Sequence, residues 1–217
     1  MRAVSRRMRC AISWGAGGGR PPAGAPGDGT HEVARRLRRL TARMNRLIGD
    51  LLDVVSMESG KLHVEPVEDD AARLLAETMD AFGPLAAARQ IRLHSEIGAG
   101  RVVARFDHDR ILQVLANLVG NAIKFTKPGG SIALRLASTA DEIQFTVRDT
   151  GCGIASDPID AIFGRFSQAA QTDRRGLGLG LYISRCIVDA HGGAISAESE
   201  PGQGSTFHFT LPRALAV

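Results

Sequence analysis

The chain is poor in cysteine, in long apolar runs and in aromatic residues near its basic clusters. Its three cysteines, Cys10, Cys152 and Cys186, are odd in number and widely spaced. They build neither a disulfide framework nor a zinc-type cluster, and they fit a reducing cytosol. No stretch approaches the ~18 apolar residues that a membrane helix needs, so no membrane segment is expected. The start, MRAVSRRMRCAISWGAGGG, has a basic opening, but its apolar run is too short and too broken by glycine for a signal peptide. Residues 1–50 carry eleven arginines with Trp14 as their one aromatic, which does not suit a nucleic-acid-binding arm.

What is present describes a soluble globular chain. The 217 residues are 44% hydrophobic and 23% charged, enough for one domain and an appendage. The net charge of +4 is uneven: residues 1–50 have eleven bases against three acids, and the rest has 16 against 20. The basic character therefore belongs to the N-terminal quarter and not to the main domain.

Residues 1–30 are rich in Gly, Pro, Ala and Arg without periodicity and read as a disordered tail. The pattern then changes. Val33, Leu37, Leu40, Met44, Leu47, Leu51 and Val54 are spaced 4-3-4-3-4-3, an unbroken a/d repeat. Ile48, Leu52 and Val55 widen this stripe beyond a two-stranded seam, as in a four-helix bundle. Thr30 is placed to cap the helix and Gly60 to stop it. One such helix cannot bury its stripe alone, so 31–60 is expected to dimerise. From Lys61 onward short strands and three helices (about 69–89, bent near Gly83-Pro84, then 109–125 and 181–191) predict one sheet with helices on one face. KLHVEPV, IRLHSEI, RVVARF, SIALRLAS, EIQFTVRD, GAISAES and STFHFTLP are its candidate strands.

Four stretches carry chemistry. In DRILQVLANLVGNAIKFT, Asn117, Asn121 and Lys124 lie at i, i+4 and i+7 on one helix stripe. Two carboxamide oxygens suit a hard cation and the ammonium suits phosphate, although a solvated face would read the same. In VRDTGCGIA, Asp149 ends a strand and Gly151 and Gly153 follow; this is either a close-approach loop beside a flat ligand or a plain Asp-Thr-Gly turn. RRGLGLGLYISR runs Gly176, Leu177, Gly178 and Gly180 into a helix near Leu181, so that free N–H groups and a positive dipole end face an anion. It is neither GxGxxG nor a P-loop. PGQGSTFHF supplies a glycine turn into a strand, with the Thr206 hydroxyl nearby.

Each signal is weak alone. The ordered series NxxxNxxK, DxGxG, IFGRF, GxGxGL and GxGSTF resembles the N, G1, F, G2 and G3 boxes of sensor histidine kinases, over roughly residues 40–212. That resemblance implies a two-layer α/β sandwich with a mixed sheet, preceded by a long amphipathic helix, with 61–213 as an ATP-binding catalytic domain. It further implies ATP and Mg²⁺ as cofactors, with Asp149 on the adenine amine and Asn117 and Asn121 on Mg²⁺. Lys124 would reach a phosphate, Gly176, Gly178 and Gly180 would wrap the triphosphate, Phe125 would pack near the nucleotide, and 155–175, with Phe163 and Phe166, would form a lid.

The gyrase-like, chaperone and mismatch-repair ATPases that share this fold place a water-activating glutamate four residues before the metal-binding asparagine. Here that position is Asn117, which has no basic lone pair, so phosphoryl transfer is favoured over hydrolysis. The family's acceptor histidine precedes a proline on the first helix of a hairpin. LLDVVSMESG resembles the end of the second helix, and His31 heads that same helix, so neither it nor His63, His94, His108, His191 or His208 is expected to be the acceptor. The expectation is a cytoplasmic protein histidine kinase portion without its acceptor helix, dimeric through 31–58. Its partner would be a response-regulator receiver domain or a full-length kinase. The alternative is a non-catalytic ATP-binding and dimerisation module.

Overall fold

The computed structural model describes residues 28–58, 62–98, 102–155, 159–167 and 178–213. The chain divides into two compact units, Met1–Arg43 and Met44–Val217. In the first, residues 28–43 are the opening turns of α1, which spans Asp28–Glu58. The helix starts two residues before Thr30, so Thr30 lies inside the first turn and is not its cap; Gly60 is outside the described residues. Val33, Leu37 and Leu40 are all more than half exposed.

In the second unit α1 continues to Glu58, and β1 (Val67–Asp70), α2 (Ala71–Ala88), β2 (Arg92–Ile97), β3 (Val103–Phe106) and α3 (His108–Phe125) follow. Then come β4 (Ser131–Ser138), β5 (Glu142–Asp149), a 3₁₀ turn (Ile159–Phe163), α4 (Gly180–Ala190), β6 (Ala194–Glu200) and β7 (Gly204–Pro212). The strand predicted over KLHVEPV begins only at Val67, because Glu65 and Pro66 lie in an extended connector. α2 remains one helix through Pro84, whose missing N–H is a local loss that the flanking turns absorb.

The expected single sheet is in fact two. β1 and β3 form a separate antiparallel pair, and the main sheet has the order β2-β4-β5-β7-β6. It is mixed, because β2 runs parallel to β4 while every other pair is antiparallel. Alternation writes one face of this sheet into the core: Ile143, Phe145 and Val147 on β5, and Phe207, Phe209 and Leu211 on β7, are buried. Phe145 pairs with Phe209 in register, and their rings stack at 4.6 Å. Leu74 and Leu75 of α2, Ile111, Leu115 and Leu118 of α3, and Ile183 and Ile187 of α4 are buried with them in one core. Each such side chain contributes about 1.5–3 kcal/mol of transfer free energy.

Helix ends are placed by single side chains. Asp70 caps α2 by accepting from Ala72 N–H at 3.0 Å, and Asp107 caps α3 by accepting from Arg110 N–H at 3.2 Å. Asp109 in the first turn and Lys124 in the last complement the dipole of α3. The result presents the C-terminal turn of α3, the end of β5 and the start of α4 to one another.

Candidate functional site

These three ends, with Ser205 and Phe207 of β7, line a cavity of about 250 Å³. From α3 it receives Asn117, Asn121, Lys124 and Phe125, the stripe predicted from their i, i+4, i+7 spacing. The Asn117 amide donates to the Gly180 carbonyl at 3.1 Å and to Ser184 Oγ at 3.4 Å, tying α3 to the first turn of α4. The same side chain lines the cavity. The Asn121 carboxamide makes no hydrogen bond among the described residues. Lys124 Nζ sits 4.7 Å from the centre of the half-exposed Phe125 ring.

The opposite wall is the end of β5. Asp149 is only 5% exposed, and its Oδ1 accepts from Gly151 N–H at 2.7 Å. Burial pushes its carboxyl above the usual range, while backbone N–H donors of Gly151 and Ser205 pull the other way. A buried carboxylate beside an apolar lining of Ile154, Ile162 and Phe207 can orient a flat base that offers an N–H. Gly153 has φ +68, and a Cβ there would meet the Glu200 carbonyl at 2.0 Å, so only glycine lets this loop lie against the β6–β7 turn.

The third wall is the start of α4. Gly178, Leu179, Gly180 and Leu181 line the cavity, and the N-cap residue Leu179 makes no side-chain capping bond. The first N–H groups of α4 thus have no side-chain acceptor from the N-cap residue, and an uncapped helix start is the arrangement that takes an anion. Gly178 has φ +71, and a Cβ would stand 2.6 Å from the Ser167 carbonyl. Gly176 and Leu177 lie outside the described residues.

The family described as "Histidine kinase-, DNA gyrase B-, and HSP90-like ATPase" matches residues 106–215, which contain every wall of this cavity except Asp50 of α1. The chain belongs to that ATPase family. The adaptive-response sensory kinase SasA of Crocosphaera subtropica is 36% identical over 185 residues, covering 84% of this chain and 48% of that protein. The chain thus spans about half the length of that curated relative. Among solved structures, full-length ShkA in complex with AMPPNP gives a TM-score of 0.75 at 29% identity, covering 86% of this chain and 39% of ShkA. The catalytic domain of the histidine kinase ThkA gives 0.63 at 31% identity, covering 69% of this chain and 96% of that domain. The second unit carries the ATP-binding domain of a sensor histidine kinase.

Thr206, expected as a hydroxyl near the base, does not line the cavity: it lies on the outer face of the sheet, opposite Arg148 and Glu198 in register. Its neighbour Ser205, paired with Asp149, is the hydroxyl residue of β7 that lines the site. Strand parity gives the reason: Phe207, Phe209 and Leu211 alternate inward, so 205 shares their face and 206 does not. Gly151 serves the site through its N–H on Asp149 without lining the cavity. Phe163, read as part of a lid, is buried edge-on against Phe207 at 6.4 Å, whereas Phe166 is exposed. Sequence reasoning missed Cys152, Ile154, Ser167 and Asp50 among the lining residues. The first two sit inside motifs already singled out, whereas Asp50 reaches the cavity only because α1 packs there.

No histidine lines the cavity among the described residues. His108 is held by Asp69 and Glu77 at 2.7 and 2.9 Å. His191 is 1% exposed; its Nδ1 bonds the Ile187 carbonyl and its Nε2 accepts from Asp107 N–H, so both ring nitrogens are satisfied in the core. His208 bonds Thr146, His94 is on β2, and His63 lies in the connector after α1, not on a strand. The side chain of His31 is outside the described residues.

Proposed function

We propose that this chain binds Mg-ATP in the cavity and passes the γ-phosphoryl group to a histidine supplied by another helix. The observation that carries the reading is the opposition, across one cavity, of buried Asp149 and the uncapped start of α4. One wall suits an exocyclic amine and the other a polyphosphate, and Lys124 lines the same cavity. Asn121 and the oxygen of Asn117 are the donors that fit Mg²⁺: neutral, hard and side by side on α3. Bound there, the ion neutralises phosphate charge. The chain's own work is positioning. Lys124 and the α4 N–H groups hold phosphate oxygens, the Asn117 bond to Gly180 fixes α4 against α3, and the apolar wall excludes water.

Direct hydrolysis is disfavoured because the residue where related ATPases have a glutamate is Asn117, whose amide is already committed to Gly180 and Ser184. The exposed stripe of α1 supports a homodimer formed through 31–58, and the protein is read as cytoplasmic. A receiver domain of a response regulator is the proposed downstream partner. A second reading, an ATP-binding and dimerisation module that modulates other kinases without transferring phosphate, is favoured by the settled structural roles of His108 and His191.

The test is incubation with γ-labelled ATP, with and without a separately made helical hairpin carrying an acceptor histidine. Acid-labile label on the added hairpin and none on the chain is the expected result. Nucleotide binding with no transfer would establish the modulator reading, and steady release of free phosphate would overturn both.

A further inference from the structure

One strand beyond Ser205 stands Ser199 of β6, which does not itself line the cavity. The two serines face each other in register, and three bonds converge on Ser199 Oγ. It accepts from the Ile154 N–H at 2.8 Å, donates to the Gly204 carbonyl at 2.9 Å, and lies 2.9 Å from Ser205 Oγ. A hydroxyl has one proton and two lone pairs. The Gly204 carbonyl takes the proton and the Ile154 N–H takes one lone pair. Only the second lone pair is left for Ser205, so Ser205 is the donor of the bond between them. Ser205 is buried, lines the cavity and pairs with Asp149, and with its proton committed it presents lone pairs alone. The surroundings hold the pair still. Gly204 has φ +97, and a Cβ there would collide with the Asp149 carbonyl, so the turn into β7 is seated on the end of β5. The Cys152 carbonyl accepts from the Gly202 N–H at 2.8 Å, which ties the loop before Ile154 to the same turn.

We propose that Ser199 is a positioning residue for base recognition, acting by fixing the direction of the Ser205 hydroxyl proton. With that proton held by Ser199, Ser205 joins Asp149 as an acceptor toward the cavity, and the wall selects bases that carry an amine over those that carry a carbonyl in its place. This rests on the reading of the cavity as an ATP site with its base at Asp149, and it adds a second acceptor and the residue that sets its sense. Adenine brings two amine hydrogens. A 6-oxo purine brings an oxygen that finds no donor in either Asp149 or Ser205. A buried oxygen left unmatched costs more than a made bond contributes, so refusal of the carbonyl is the stronger half of the selection. Ser199 touches no nucleotide atom. Removing its hydroxyl frees that of Ser205 to rotate and donate, and the wall then accommodates an oxygen.

The test is calorimetric titration of the full chain, and of its Ser199→Ala, Ser205→Ala and doubly substituted variants, with adenosine and inosine. The parent should prefer adenosine by about ten-fold or more. Ser199→Ala should narrow that preference about five-fold, chiefly by tightening inosine, because one neutral hydrogen bond is gained. Adding Ser199→Ala to Ser205→Ala should leave the preference of Ser205→Ala unchanged, since no proton remains to be released. Ser199→Thr keeps the hydroxyl and should behave as the parent, whereas Ser199→Val, of the same outline, should behave as Ser199→Ala. This second pair carries the comparison should the alanine variant fail to fold. An unchanged preference in the variants without the hydroxyl, with both nucleosides weakened equally, would reduce Ser199 to a structural strut and overturn the proposal. So would a narrowing that persists when Ser205 is alanine. In either case adenosine binding by the parent leaves the ATP site standing. A parent that binds no adenosine, or binds inosine equally well, would overturn the base reading itself, and the role of Ser199 with it.

Discussion

Replacing Asp149 with asparagine separates what this residue does for binding from what it costs the fold. The amide oxygen can keep the 2.7 Å bond from Gly151 N–H, so the end of β5 should hold its shape. Its other atom becomes a donor where the adenine amine also donates. Losing a charge-assisted bond and leaving an N–H unmatched in a buried wall costs about 3 kcal/mol, or roughly 100-fold in affinity for adenosine and ATP alike. Stability should move the other way. Burial raises the Asp149 pKa in the folded chain above the usual 3.8, so between 3.8 and that raised value the folded state holds more protons than the unfolded one. Stability therefore falls as pH rises through that window, and the penalty persists above it. Without its ligand, Asp149→Asn should melt at or above the parent near neutral pH, and the difference should vanish below about pH 4. Calorimetric titration and thermal melts measure both. Unchanged nucleotide affinity, or a variant that loses affinity only because it melts well below the parent, would refute the reasoning.

Asn121→Ala should remove the magnesium dependence of ATP binding while leaving adenosine affinity unchanged, by the same titration. Gly178→Ala forces a side chain into φ +71 against the Ser167 carbonyl; a strain of about 1–2 kcal/mol or more should weaken ATP far more than adenosine. At His108, burial works against the charge, but the bonds to Glu77 and Asp69 outweigh it and the pKa rises above 6.5. A raised histidine pKa stabilises fully below 6.5 and loses that contribution as pH climbs through the folded value, so His108→Gln should lower the melting temperature more near pH 6 than near pH 9. Leu37→Lys with Leu40→Lys places charge in the exposed stripe of α1 and should convert a dimer to a monomer in sedimentation equilibrium, with adenosine binding intact.

Much of this was readable because it is periodic or local. The 3.6-residue repeat of α3 put Asn117, Asn121 and Lys124 on one stripe, and that stripe lines the cavity. The hairpin β4–β5 and the glycine run into α4 are local too, and both formed close to where they were expected. What was missed depends on pairing between distant segments. Nothing within 61–106 says that β1 leaves the main sheet to pair with β3. Thr206 and Ser205 are both small hydroxyl residues after a glycine, and only the register with Asp149 decides which of them faces inward. Asp50 belongs to a helix read entirely through its apolar stripe, and its place in the cavity depends on Asp53 finding Arg110, 57 residues away.

The central claim is that one cavity holds a nucleotide with its base at Asp149 and its phosphates at the start of α4. A crystal structure of the chain grown with magnesium and a non-hydrolysable ATP analogue tests it most directly. The adenine amine should lie within hydrogen-bonding reach of the Asp149 carboxylate, and phosphate oxygens against the N–H groups of Gly178–Leu181 and Lys124. A nucleotide bound elsewhere, or bound here with its phosphates turned toward Asp149, would contradict it.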